Sequence, residues 1–587
     1  MTTTRSQTSV AALTYSDSTL LRNGRPHRML AGAVHYFRVH PQQWEDRLRR
    51  LAAMGANTVD TYIPWNFHEE IEGSPRFDGW RDIERYLRIA AEVGLDVYLR
   101  PSPYICAEWS NGGLPAWLTG RIRHVRSSDP GYLRAVEEWY SHLLPRLAPL
   151  QAAYGGPIVA VQVENEYGSF GSDSAYLEHQ RDLLRAHGIV ELLTTADGIT
   201  PDMQHHGSVD GAMPSFTFGT GVDTAQSLLP AATPLLCSEL WGGWFDHWGE
   251  RHHVRSAASM IGTVDALLDA GGSVSLYMAH GGTNFGLWAG ANWDGALQPT
   301  ITSYDSDAPI AEDGRLGDKF AALRASFAPF HDGPLPEVPA EPVFLPRQTV
   351  AFTGEGGLAD ALSSLPAGEV RSNPATFEEL GVADGIVAYQ TRVHIGAETT
   401  LSIRGLHDRA AVLLDGERIA TLERDGTTSV VIEGRAGDHE LTLVVESLGR
   451  INYGPHIGEH KGIVGGVLLG RRYVHGWTHR VVPLDGSLTG RGGDAPADGF
   501  AVASVDVETP ADAWLAVPGG SKGLIWVNGF LIGRYWSVGP QETFYAPAPL
   551  WRSGRNEVRV VDLEQLPTIL EIRDVPSLGE AEEFIGS

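Results

Sequence analysis

Two short segments of this 587-residue chain concentrate side chains able to do chemistry. Gln162-Val-Glu-Asn-Glu-Tyr-Gly168 carries two carboxyl groups and an amide behind a β-branched apolar run. Cys237-Ser-Glu-Leu-Trp-Gly-Gly-Trp-Phe-Asp246 brings Glu239 out of another. A carboxylate at the tip of a buried strand is costly unless it is paired or used. Two such groups amid aromatic rings suit glycoside hydrolysis. One must be protonated to release the leaving oxygen, and the other ionised to attack the anomeric carbon or activate water. Aromatic faces that could pack on a sugar are plentiful: Tyr62, Trp65, Tyr104, Trp109, Trp241, Trp244, Tyr277 and Tyr304. Each alone reads more readily as core than as site, so their clustering at predicted strand ends is what counts. Glu164 and Glu166 are equivalent at this level, because both point the same way if the strand alternates through its tip.

Competing chemistries find less support. There is no His-Glu-x-x-His, phosphate loop, dinucleotide fingerprint or Gly-x-Ser-x-Gly. His205-His206 and His252-His253 are adjacent pairs, the wrong spacing for one helical metal face, and read as surface loops. Cys106 and Cys237 cannot by themselves build a disulfide framework or a zinc site, and read as buried free thiols in a reducing compartment.

The elements that position these residues alternate. Strands are expected near 29–37, 58–64, 97–104, 158–163, 190–196, 235–240 and 273–278, with an irregular one within 208–218. Helical periodicity falls at 42–54, 83–90, 132–150, 175–186, 257–269 and 319–327, with Gly55 and Gly94 as stops. Eight such units in about 300 residues predict a closed (β/α)₈ TIM barrel, whose site lies at the C-terminal ends of its strands. Residues 333–347 form a Pro-rich, acidic linker. Beyond it helical periodicity stops, and Asp415-Gly416 and Asn528-Gly529 mark hairpins. The predicted organisation is a catalytic barrel over 1–332 and two all-β sandwich domains of jelly-roll or galactose-binding type over 348–484 and 485–587. Their seam is placed in the Gly/Asp-rich stretch 485–498.

The formal net charge is −27, which disfavours nucleic acid and anionic membrane surfaces and leaves a neutral substrate as the better fit. An acidic surface aids solubility and is compatible with a homodimer. Only Lys319, Lys461 and Lys522 among the basic residues are lysines, which leaves little room for Schiff-base chemistry. Residues 1–18 are polar, without the apolar core of a signal peptide, and no run of 18 apolar residues occurs. The expected compartment is the cytoplasm.

At these residues the chain resembles the β-galactosidases of glycoside hydrolase family 35, in particular its bacterial β-1,3-galactosidase branch. The matching blocks are Gly32-Ala-Val-His-Tyr-Phe-Arg38, Thr61-Tyr-Ile-Pro-Trp-Asn-Phe-His-Glu69, Arg100-Pro-Ser-Pro-Tyr-Ile-Cys-Ala-Glu-Trp109, the two carboxylate segments, His280-Gly-Gly-Thr-Asn-Phe285 and Thr302-Ser-Tyr-Asp-Ser-Asp-Ala-Pro309. Ile451-Asn-Tyr-Gly454 and Val527-Asn-Gly-Phe-Leu-Ile-Gly-Arg-Tyr-Trp536 extend the likeness into the β-domains. Ser102 and His280 depart from the common pattern without touching the carboxylates.

The resemblance implies that Glu166 is the acid/base and Glu239 the nucleophile of a retaining exo-β-galactosidase that needs no metal or organic cofactor. It further implies that Tyr62, Cys106, Ala107, Glu108 and Asn165 contact galactose, with Tyr277 near the sugar and Tyr304 beside the nucleophile. Trp241 and Trp244 are expected to clamp the leaving sugar, with Tyr453 reaching over from the first β-domain. The expected substrate is a galactose-terminated oligosaccharide, with β-1,3 linkages to N-acetylhexosamine favoured. The rival readings are an exo-β-glucosaminidase of the same architecture, which needs an acidic partner for a 2-ammonium group, and a non-catalytic carbohydrate-binding protein.

Overall fold

The computed structural model describes residues 11–396, 398–488 and 498–586. Eight parallel strands close into a barrel: β1 (Leu30–Ala33), β2 (Thr58–Tyr62), β3 (Asp96–Arg100), β4 (Ile158–Asn165), β5 (Leu192–Gly198), β6 (Phe216–Phe218), β7 (Leu236–Trp241) and β8 (Ser273–Tyr277). Their side chains are buried almost throughout, because helices cover the outside while side chains fill the inside. The irregular sixth unit contributes only three strand residues.

The longer helices are α1 (Trp44–Met54), α2 (Ile83–Val93), α3 (Pro130–Leu147), α4 (Ser174–Ala186), α5 (Ala257–Asp269) and α6 (Asp318–Phe327). Their limits follow local chemistry. Asp82, Asp129 and Asp173 cap α2, α3 and α4 with their side chains. Gly55 ends α1 at φ +100°, and a Cβ there would press on Phe327 at 2.9 Å, so the turn and the packing both ask for glycine. A three-stranded sheet over Leu13–Pro26 contributes Leu13 and Leu20 to a cluster with Met29, Tyr98, Val159 and Leu236, at the ends of the barrel strands away from the site.

The linker is not a free spacer. It lies along α1, where the Arg50 guanidinium donates to the Ala340 carbonyl at 2.5 Å. Two sandwiches follow. The first spans Ile386–Val481, with a five-stranded and a four-stranded sheet. The second takes its strands from residues 499–573 and also from Gln348–Ala351 and Thr353–Gly357. The domain limit expected at 348 is therefore corrected. The segment just past the linker pairs with Ile569–Arg573 and Gly499–Val507, in the other sandwich. Both hairpin turns form, with Asp415 and Gly416 and with Asn528 and Gly529 at positive φ. Residues 489–497 of the expected seam, and 1–10 of the segment examined for a leader, lie outside the described residues. Among the described residues no helix is long and apolar enough to cross a membrane.

The units are tied by buried polar contacts. Thr302 of the barrel donates to the Arg534 carbonyl at 2.7 Å. Glu446 of the first sandwich accepts from Lys522 and, at 2.8 Å, from Arg534 of the second. Burial alone would raise the Glu446 carboxyl, but the two cations outweigh it and hold it at about 2. All three lysines are buried in ion pairs: Lys319 with Asp307, Lys461 with Asp408 and Lys522 with Glu446.

Candidate active site

At the C-terminal ends of the strands lies a cavity of about 230 Å³, lined by Tyr62, Cys106, Ala107, Glu108, Asn165, Glu166, Glu239, Trp241, Trp244, Tyr277 and Tyr453 among others. Of the expected site residues, Tyr304 alone is not in this lining, and it meets the site through its hydroxyl group.

Glu239 leaves the buried run of β7 and is held by two donors. Arg100 Nη2 donates to its Oε1 at 2.6 Å, and the Tyr62 hydroxyl donates to the same oxygen. Arg100 ends β3, is fully buried, and also reaches Gln162 and, at 3.1 Å, the Asn165 amide oxygen.

Glu166 is built differently. Strand β4 ends at Asn165, and Glu166 sits at φ +48°, a left-handed position that costs a non-glycine residue about 1–2 kcal/mol. That turn breaks the alternation assumed for the strand tip. Glu164 points away from the cavity into a buried bidentate pair with Arg126, at 2.9 and 2.7 Å, and accepts from Tyr176. Glu166 faces the cavity, where Thr217 donates to its Oε1 at 3.0 Å. Removal from water, and then the neighbouring Glu239 charge, push its carboxyl up to about 8. The two cavity carboxyls thus differ in their surroundings: Glu239 is held by a guanidinium and a hydroxyl, whereas those of Glu166 favour its proton.

The loop after β3 is strained. Cys106, Ala107 and Glu108 lie at φ +56°, +56° and +46°, three consecutive left-handed residues without a glycine. Arg38 clamps the Ala107 carbonyl, Gly290 N–H donates to the Glu108 carbonyl at 2.8 Å, and Trp109 stacks on Trp288 at 5.1 Å. Tyr304 donates to the Glu108 carboxylate and is 2.9 Å from the Tyr277 hydroxyl. The hydroxyl bonded to Glu239 is that of Tyr62, whereas Tyr304 serves Glu108.

The open side of the cavity is aromatic. Trp241 and Trp244 meet edge to face at 5.5 Å, and Tyr453 comes over from the first sandwich. The far end of the chain returns here. Ala581–Glu583 pairs in parallel with His252–Val254, Phe584 lies 5.2 Å from Trp244, and a Cβ on Gly586 would collide with Trp244. His252 and His253, expected in a surface loop, are in this pairing. Asp246 holds both, with His252 Nδ1 at 2.7 Å and the His253 N–H at 2.8 Å. His205 and His206 lie in the short helix Pro201–Gly207 rather than in a loop. Cys237 is buried, while Cys106 is partly open to the cavity.

Sequence reasoning gave no role to Arg100, Thr217 or Arg38. Arg100 had a visible signal, a basic residue closing an apolar strand. Thr217 had none, since the irregular sixth unit hid its register.

The residue pattern of the group described as "Glycosyl hydrolases family 35" matches residues 19–329, more than half of the chain. This chain belongs to that family. In this family 35 member, "Beta-galactosidase, first all-beta domain" matches 374–485, and "Beta-galactosidase, galactose-binding domain" matches 499–556. Relatives named beta-galactosidase include those of Bos taurus, 40% identical over 94% of this chain and 90% of theirs, and Mus musculus, 39% identical over 94% and 92%. The Homo sapiens protein of that name is 38% identical over 94% of this chain and 87% of its own.

Proposed function

We propose that this family 35 hydrolase is an exo-acting, retaining β-galactosidase that removes terminal non-reducing β-D-galactosyl residues, preferring β-1,3 linkages to N-acetylhexosamine. The observation that carries the reading is one cavity holding Glu239 against Arg100 and Tyr62 and Glu166 with its carboxyl near 8. In the first step Glu239 forms a bond to the anomeric carbon as the glycosidic bond breaks, and Glu166 gives its proton to the departing oxygen. In the second, Glu166 takes a proton from water, whose oxygen replaces Glu239 on that carbon. The relatives' shared name supports galactose as the sugar. The small cavity supports exo action, and the Trp241–Trp244 pair supports an aromatic seat for the leaving sugar. Glu108 supplies the acidic neighbour a glucosaminidase reading would need, so that substrate belongs in the test.

The experiment is hydrolysis of β-1,3-, β-1,4- and β-1,6-galactosyl disaccharides, an aryl β-galactoside and an aryl β-glucosaminide, with product anomers followed by NMR. Galactose should be released first as the β-anomer, fastest from β-1,3 substrates, and Glu166→Gln should slow disaccharide turnover by about 10²–10⁴-fold. Glu239→Gln should abolish it. First release of α-galactose would overturn the retaining mechanism. Glucosamine release alone would overturn the substrate.

A further inference from the structure

Residues 581–586 reach the catalytic barrel by backbone pairing. His252 N–H donates to the Glu580 carbonyl at 2.9 Å, Phe584 N–H donates to the Val254 carbonyl at 2.8 Å, and Ala581–Glu583 between them runs parallel to His252–Val254. The paired strand is in turn bound to the loop that carries Trp241 and Trp244. Asp246 holds His252 and His253, and the buried Arg255 donates to the Trp241 carbonyl at 2.6 Å and to the Gly219 carbonyl at 3.0 Å. Gly586 then lies between Gly219 and the two rings. A Cβ on Gly219 would overlap the Gly586 carbonyl oxygen, and one on Gly586 would overlap Trp244 and come within 3.0 Å of Trp241.

Among the described residues no hydrogen bond reaches the Trp244 indole, so packing alone sets the angle of this ring. Trp241 meets it edge to face at 5.5 Å, Phe245 stacks on it at 4.9 Å, and Phe584 lies against it at 5.2 Å. Trp241, Trp244 and Phe245 line the catalytic cavity, whereas Phe584 and Gly586 touch the rings without lining it. The segment therefore supports the rings from outside and leaves the space in front of them open.

We infer that Phe584 and Gly586 are positioning residues for the leaving sugar: the segment braces Trp241 and Trp244 at the angle at which they receive it, and so sets how strongly the enzyme favours a sugar over other leaving groups. This rests on the reading of the Trp pair as the leaving sugar's seat. Glu239 is held by Arg100 and Tyr62 without the brace, so chemistry at the anomeric carbon does not depend on it. Positioning of the leaving group does, because a small displacement of a contacting ring is enough to cost binding in the first step.

The test compares two substrates in the full chain. One is a galactosyl disaccharide, β-1,3-linked or of whichever linkage the unaltered chain cleaves fastest. The other is β-galactosyl fluoride, whose leaving group is a single atom. Phe584→Ala should lower kcat/KM for the disaccharide about tenfold, mainly through KM, while hydrolysis of the fluoride stays within about twofold. Phe584→Tyr keeps the ring and should keep the disaccharide rate, and Gly586→Val should repeat the loss by displacing the rings. Trp244→Ala tells the brace from the seat. If it lowers the disaccharide-to-fluoride ratio while Phe584→Ala and Gly586→Val leave that ratio unmoved, the brace is overturned and the seat stands. A ratio indifferent to Trp244→Ala overturns the seat and the brace with it. Equal losses on both substrates in Phe584→Ala would reveal a structural role alone and also overturn the proposal.

Discussion

At the residue scale, the difference between Glu166 and Glu239 lies in their neighbours. Arg100 and Tyr62 surround Glu239 with donors, whereas Glu166 has one hydroxyl donor and a carboxylate for company. In the proposed mechanism Glu166 acts as an acid, so activity should fall on the alkaline side as pH rises through about 8. The Thr217 hydrogen bond stabilises the ionised form, so its loss must raise the Glu166 carboxyl further. Thr217→Val should therefore move the alkaline limb of the kcat/KM profile to higher pH, as read from initial rates between pH 5 and 10. An unmoved limb would assign it to another group. The choice between Glu164 and Glu166 was not legible from residue types, because it turns on one left-handed residue. The buried Arg126 that claims Glu164 comes from a loop 38 residues earlier.

At the element scale, alternation of apolar runs with helical stripes identified the barrel, since it reflects how each segment buries its own surface. Loops obey no such period. The stretch expected as strand to residue 104 leaves the sheet at Arg100 and becomes the strained turn through Cys106–Glu108. Likewise, no local feature of 348–357 says which sandwich it joins, because pairing is settled by partners more than 140 residues away. The strained turn makes its own prediction. Ala107→Gly removes a left-handed penalty of about 1–2 kcal/mol, less the roughly 0.5–1 kcal/mol entropic cost of glycine. The variant should melt slightly higher by calorimetry while kcat/KM falls severalfold, because the loop presenting Glu108 is looser. A variant both less stable and equally active would show that the turn is not strained.

At the scale of the whole molecule, the two sandwiches share buried charge. Glu446 of one sandwich lies between Lys522 and Arg534 of the other, and breaking such a pair from one side costs about 3–5 kcal/mol. Glu446→Gln should lower the melting temperature and separate the unfolding of the two sandwiches from each other in a calorimetric scan, while aryl-glycoside turnover at 25 °C changes little. Because its carboxyl is held near 2, this contribution is present above about pH 4.5 and is lost as pH falls towards 2. Burial of Lys319, Lys461 and Lys522 has a further consequence. Acetylation, ubiquitination and amine-directed cross-linking all require an accessible lysine amine. The folded surface of this acidic protein offers none, so lysine-directed reagents will report unfolding rather than surface shape.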